Sequence, residues 1–275
     1  MDNRILHLDV RNGSLMPAQS EVWIRVVPEW QSPTTELRGR LMGPRCPYAS
    51  TVEVAYPLRP MPQRESSDRL TARVVIPEAS LWDTESPFLY RGPIELWQDG
   101  RCCERIVLCH GLRSVLLGER GLSLNGKPMS LRGQTVASCT EAEALKLREN
   151  GCNLLIVPVE ESTLSLWERA DRLGFHVLGQ LKDGSEKTLK YLNRLHSQPS
   201  CLGWLVEKGI HPPLDLLPPR CLVGLVCDET APSLPLWTGH FLFGPAELAN
   251  LGKALLVKGE TSLPLVSGSI LGHAS

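Results

Sequence analysis

The stretch that decides the fold is residues 141–181, EAEALKLRENGCNLLIVPVEESTLSLWERADRLGFHVLGQL, where short apolar runs alternate with helical patterns. Thr140 with Glu143 three residues on makes a capping box, and Asn150-Gly151 supplies a left-handed stop, so one helix is framed between them. Strand-like NLLIVPV follows from Asn153. A second helix from about Ser162 sets Leu164, Trp167, Ala170 and Leu173 on one face until Gly174 ends it. HVLGQL from His176 is the next strand. Repeated strand–helix units imply parallel strands joined by right-handed crossovers.

Downstream, Asp183 and Glu186 read as another capping box, for a helix lined by Leu189, Leu192 and Leu195, and CLGWLV from Cys201 is a further strand. After Gly209 the runs CLVGLV, HFLFG, ALLVKG and PLVSGSIL keep the strand character, but the gaps between them are short and rich in proline. A complete barrel takes about 250 residues, and only residues 131–275 are left for it here. The expected architecture is therefore a reduced, irregular barrel with at least two crossover helices shortened or lost; an open sheet is the competing one. Outer faces stripped of helices would need cover, which predicts self-association or a protein partner on that side.

Upstream, to about residue 115, apolar residues recur with period two in VWIRVV, TVEVAY, LTARVVI, PIELW and ERIVLCH. The runs are separated by Gly43-Pro44, Pro57, Pro77 and the hairpin signal Asp99-Gly100. Several short strands with close turns each bury one face against a second sheet, so this half is predicted to be an antiparallel sandwich. The reading gives two domains, 1–115 and 116–275.

Composition sets the outer bounds. The chain is 42% hydrophobic and 21% charged, enough apolar material for a real core, and 29 Lys and Arg nearly cancel 30 Asp and Glu. Without a dense basic run to release counterions, nucleic acid is not an expected partner. No apolar stretch approaches the roughly 20 residues that span a bilayer, and the first residues lack a signal pattern, so the expectation is a cytoplasmic protein without membrane association. Nine scattered cysteines fit buried free thiols, and their spacing is not that of a zinc site. Neither a metal nor a cofactor is expected.

Three stretches carry a family resemblance. LWDTESPFLYRGPIELWQDG (81–100) is similar to the end of the immunoglobulin-like domain of glycoside hydrolase family 2, which includes β-galactosidases, β-glucuronidases and β-mannosidases. HGLRSVLLGERGLSLNGKPMSLRG (110–133) resembles that family's linker into its (β/α)8 barrel of the TIM type, with the Leu-Asn-Gly-Lys-Pro turn and the Leu-Arg-Gly of the first barrel strand. Leu145 to Leu181 resembles its first helix through its third strand without a gap. The family's N-terminal sugar-binding jelly roll has no counterpart in the residues at hand.

The resemblance implies retaining glycoside hydrolysis by two glutamates about 5–5.5 Å apart, at the C-terminal ends of the fourth and seventh barrel strands. QPSCLGWLVEKG (198–209) resembles the fourth-strand motif; aligned on Trp204, it puts Lys208 at the family's Asn and Gly209 at its acid/base Glu. GKALLVKGET (252–261) resembles the seventh-strand segment and puts Gly259 at the nucleophile. Glycine can neither donate a proton nor attack an anomeric carbon. Glu260 stands one residue beyond its position, where the side chain turns to the opposite face. Glu207 stands two residues early, on the correct face but roughly 6–7 Å lower along the strand.

Supporting positions are exchanged as well. The polar residues after the first strand become Gln134, Thr135 and Val136; the Arg and His of the second strand fall on Ile156 and Val159; the Asp-Glu ending the third falls on Gly179 and Gln180. Glu207, Glu260 and Glu229 stay as candidate carboxylates, the last beside Asp228 in a loop. Trp204, Trp237 and His240 are candidate sugar contacts, set against a core role for Trp204 and a structural one for His240; Trp82 and Trp97 read as sandwich packing. The function expected is a non-catalytic glycosidase-like scaffold or weak carbohydrate binder. The alternative is an active glycosidase with a rearranged carboxylate pair.

Overall fold

The computed structural model describes residues 3–62, 68–118, 121–207, 222–227, 240–244, 254–258 and 270–274. It divides into two compact units, Met1–Arg113 and Ser114–Ser275.

The first unit is two antiparallel sheets. Strands β1 (Ile5–Leu15), β2 (Gln19–Pro28), β6 (Leu70–Pro77) and β5 (Arg59–Pro60) form one, in that order; β4 (Val54–Pro57), β3 (Glu36–Arg45), β7 (Leu89–Gln98) and β8 (Arg101–His110) form the other. Alternation does the sorting. Val22, Ile24 and Val26 of β2 and Ala72, Val74 and Ile76 of β6 point into a single core with Leu37, Leu41, Ile94 and Leu96 of the facing sheet. The Asp99-Gly100 turn joins β7 to β8 with φ of 49° and 76°, the left-handed pair a two-residue hairpin requires. Tyr90 is buried in this core, and its hydroxyl accepts from the Ser80 amide at 2.9 Å and donates to the Ser80 carbonyl at 3.3 Å.

Three strands were not among the five runs read from sequence. In β1 the register slips between Ile5 and His7 and again between Asn12 and Leu15, so its apolar residues fall out of period two. In β3 the Gly43-Pro44 pair, taken as a break between strands, lies inside the strand, where the pairing with β7 shifts between Met42 and Arg45. The third, β5, is two residues long.

The second unit opens with a small antiparallel sheet, β9 (Val115–Gly118), β10 (Gly121–Leu124) and β11 (Lys127–Pro128). Eight strands follow: β12 (Leu131–Thr135), β13 (Leu154–Pro158), β14 (His176–Leu181), β15 (Cys201–Val206), β16 (Leu222–Val226), β17 (Phe241–Gly244), β18 (Ala254–Lys258) and β19 (Ile270–Ala274). Each pairs in parallel with the next, and β19 pairs with β12, so the sheet closes into a barrel. The open sheet is set aside. The last strand begins at Ile270, later than the run PLVSGSIL suggested.

Helices α1 (Glu141–Glu149), α2 (Leu164–Leu173) and α3 (Glu186–Leu195) fill the first three crossovers. The Thr140–Glu143 capping box forms in full, and Gly174 ends α2 at φ 79°. At α3 the cap is Ser185, whose hydroxyl accepts from the Thr188 amide; Asp183 sits two residues back, accepting from the Ser185 amide and the Thr188 hydroxyl. The later crossovers fall almost wholly outside the described residues, and with them the expected shortening of their helices.

Strand alternation sorts the barrel into two layers. Leu154, Ile156, Leu178, Leu202, Leu205, Leu222, Phe241, Phe243 and Leu256 fill the interior. Leu155, Val157, Val177, Cys201, Trp204 and Val206 face outward against Leu166, Trp167, Ala170 and Leu173 of α2 and Leu192 and Leu195 of α3. The outward side chains of the later strands, Leu225, Leu242, Leu255 and Val257, form a cluster of their own and are at most 4% exposed. At these four positions the outer face expected to be uncovered is buried.

Candidate functional site

Parallel strands end at one face of a barrel, so side chains aimed inward from the last positions of each strand, together with the loops that follow, make the mouth. On β13 and β14 the inward series Ile156 and Leu178 continues to Pro158 and Gln180. On β15 Leu205 is inward, so Glu207, just past the strand, shares its face. The Gln180 amide Nε2 donates to Glu207 Oε1 at 3.0 Å, holding the carboxylate beside the third strand. Beneath these two lie buried Ile156, Leu178 and Leu205, so the floor of the mouth is apolar.

Other described carboxylates on this side of the barrel are engaged in loop and cap structure. Glu160 accepts from the Ser162 hydroxyl at 2.7 Å, and Glu161 meets the Tyr191 hydroxyl at 3.2 Å and Lys187 Nζ at 3.5 Å. Asp183 is held below the usual carboxylate range, first by the Thr188 hydroxyl and then by Ser185. An acid catalyst needs the opposite shift, a carboxyl kept protonated near neutral pH.

The candidate sugar contacts divide. Trp204 is fully buried and turned away from the mouth, its ring 5.7 Å from that of Trp167 on α2, so it is a packing residue of the outer layer. A β-carbon added to Gly179 would stand 2.6 Å from the Trp204 ring; with Trp204 there, the third strand has no room for a side chain at the position where the family resemblance implies an aspartate. His240 precedes β17 and so lies at the barrel's opposite, N-terminal end, where its Nδ1 accepts from the Val223 amide at 3.0 Å. This is the structural role set against sugar contact, and it follows because a parallel strand carries its N-terminal residues away from the mouth. Gly209, Asp228, Glu229, Trp237, Gly259 and Glu260 lie outside the described residues.

A shallow concavity of about 320 Å³ beside α1, lined by Gln134, Val136, Ser138, Cys139, Glu143, Lys146 and Leu147, was not foreseen. Its Glu143 is committed to the helix cap. Burial pushes the thiols of Cys139 and Cys152 up, which keeps them in the unreactive form. Among the described residues no cluster of three metal-ligating side chains occurs, and no helix is long and apolar enough to cross a membrane.

No family model matches the chain. Beta-galactosidase BoGH2A of Bacteroides ovatus is 24% identical over 147 residues, which is 46% of this chain and 17% of that protein. Among solved structures, a glycosyl hydrolase family 2 member from Bacteroides cellulosilyticus superposes with a TM-score of 0.72 at 15% identity, over 99% of this chain and 43% of that one. Bacteroides uniformis beta-glucuronidase 3 gives 0.67 at 15% identity, over 94% and 39%; a putative beta-galactosidase from Bacteroides fragilis gives 0.69 at 12%, over 94% and 48%. The chain spans less than half the length of these relatives. In fold it is a structural relative of glycosyl hydrolase family 2, matching its members over nearly all of its own length.

Proposed function

We propose that this chain is a glycoside hydrolase family 2-like protein that does not cleave glycosidic bonds and serves as a scaffold or weak carbohydrate binder. In this reading residues 1–115 are an immunoglobulin-like sandwich and residues 116–275 a reduced barrel of the TIM type. The Tyr90 hydroxyl bridging back to the Ser80 backbone supports the first assignment, since a corner of this kind recurs in immunoglobulin-like sandwiches. Closure of eight parallel strands supports the second.

The observation that carries the inactive reading is the mouth itself. Glu207 is hydrogen-bonded to Gln180 over a floor of leucine and isoleucine, whereas an oxocarbenium-like transition state needs charges and donors arranged around the sugar. Sequence adds that glycine stands at both family positions, 209 and 259. The expected result is that purified protein hydrolyses aryl β-galactosides, glucuronides and mannosides no faster than a no-enzyme blank. Turnover that disappears in Glu207→Gln would establish the alternative, an active glycosidase with a rearranged carboxylate pair.

A further inference from the structure

The outward face of the β1-β2-β6-β5 sheet carries an arrangement that the barrel reading does not use. Pairing sets Arg11 opposite Trp23, Trp23 opposite Arg73, and Arg73 opposite Arg59. These four residues form one row across all four strands, with about 4.8 Å between neighbours. Their sequence neighbours Val10, Val22, Ile24, Ala72, Val74 and Leu58 are buried in the core, so all four side chains point outward.

Trp23 is fixed in place. Its Nε1 donates to Glu21 at 3.1 Å, and a β-carbon on Gly13 would lie 2.5 Å from that nitrogen, so the indole edge rests on the β1 backbone where only glycine leaves room. The Arg73 guanidinium lies 5.8 Å from the ring centre, with Nη1 on Glu21 at 3.0 Å and a buried Nε that has no hydrogen-bond partner. Arg11 reaches Asp9 at 2.8 Å. Arg25, one pair further along β2, and Arg59 make no ion pair among the described residues. Two carboxylates thus face four arginines; Glu21 offsets Arg73, and Arg59 directly opposite it adds a like charge to the same face.

We propose that this face binds an acidic oligosaccharide, with the arginines of the row taking its carboxylates and Trp23 lying against one pyranose ring. Arginine's planar fork matches a carboxylate, and the immobilised indole offers an apolar platform at low entropic cost. The strand spacing is about the width of one sugar ring, so Arg73 and Arg59 meet successive acidic residues, Trp23 takes the next ring, and Arg11 meets the acidic residue beyond it. Nucleic acid fits less well. The sandwich, residues 1–113, has fourteen arginines, no lysine and fourteen acidic residues, so it lacks the net positive field that gathers a phosphate backbone.

The test is isothermal titration calorimetry of the full chain with de-esterified polygalacturonate, its fully methyl-esterified form, and single-stranded DNA. The expected result is saturable binding of the acid form alone, weakened by salt. Replacing both Arg11 and Arg59 by Ala should lower the affinity about tenfold or more, as should Trp23→Ala. Arg40→Ala with Arg91→Ala, on the opposite sheet, should leave it within about twofold. Circular dichroism of each variant reports folding; the mutated arginines are exposed, so the fold is expected to survive. Lack of binding, equal binding of the esterified polymer or DNA, or equal loss from the opposite-sheet variants would overturn the proposal. Glu207→Gln should not alter this binding, which separates its failure from that of the barrel reading.

Discussion

Two tryptophans of the sandwich and two of the barrel unit are used in opposite ways. On the sandwich Trp82 is fully buried, but two others work at the surface: Trp23 with Glu21 and Arg73 on one sheet, Trp97 with Glu95 and Arg38 on the other. In the barrel unit Trp167 and Trp204 are fully buried between strands and helices, with neither indole nitrogen hydrogen-bonded. Outward tryptophans held by a glutamate two residues earlier keep their polar edge satisfied and offer a ring to a ligand. Buried ones give up that hydrogen bond for packing. The difference separates tryptophans that present a ring at the surface from those that pack the barrel wall.

The sharpest way to break this comparison is to truncate one tryptophan of each kind. Trp204→Ala should cost about 3–5 kcal/mol, the range for emptying a large aromatic site in a core. Trp23→Ala should cost less than about 1 kcal/mol, as a surface change whose partners regain water. Urea denaturation followed by circular dichroism checks both. Equal costs would mean that the two tryptophans have the same role.

Next in size is Gly179→Ala. The added carbon would stand 2.6 Å from the Trp204 ring and 2.8 Å from Val159, so the strand or the indole has to move, at about 1–3 kcal/mol. A neutral result would show that the outer layer is looser than its burial implies.

These positions also mark how far the sequence could be read. Thr140 and Glu143 were legible because a capping box is local: three residues hold all its chemistry. The buried run of β13 was legible because a parallel strand is covered on both faces. What escaped depends on partners distant in sequence. β1 and β3 are bulged where they meet β2 and β7, and a bulge erases the period by which strands are recognised. Asp183 and Ser185 both suit an N-cap, and only the fold shows that Ser185 receives the Thr188 amide. The direction of Trp204 and the end of the barrel at which His240 lies follow from strand register and polarity. Neither is written in a single segment. Glu207 was visible as a candidate, but its Gln180 partner is 27 residues away.

A smaller effect tests the sandwich core. Burial pushes the Tyr90 phenol up to about 12 from the usual 10.0. A folded-state value above the unfolded one means that the stabilisation is fully present below pH 10 and is lost as pH rises through that window. Tyr90→Phe should cost about 0.5–1.5 kcal/mol at neutral pH through the lost Ser80 contacts, and should remove this part of the alkaline decline. An unfolding free energy that declines identically in both proteins between about pH 10 and 12 would show that Tyr90 ionises as freely folded as unfolded.

The smallest expected effect belongs to the barrel's surface and carries the opposite pH sign. Glu143 accepts from the Thr140 amide at 2.7 Å and from its hydroxyl at 2.8 Å, and these bonds hold its carboxyl below the ordinary value. A depressed folded-state value contributes stability above the unfolded carboxyl range, and that contribution fades as pH falls through the folded value. The group is fully exposed, so water and salt screen most of the effect. Glu143→Gln keeps the shape and removes the charge. It should therefore unfold slightly more readily than the parent at pH 7 and no more readily at pH 2, where both side chains are neutral. A gap that stays constant between those two pH values would mean that the cap acts through shape alone, and that α1 owes nothing to the charge at its first turn.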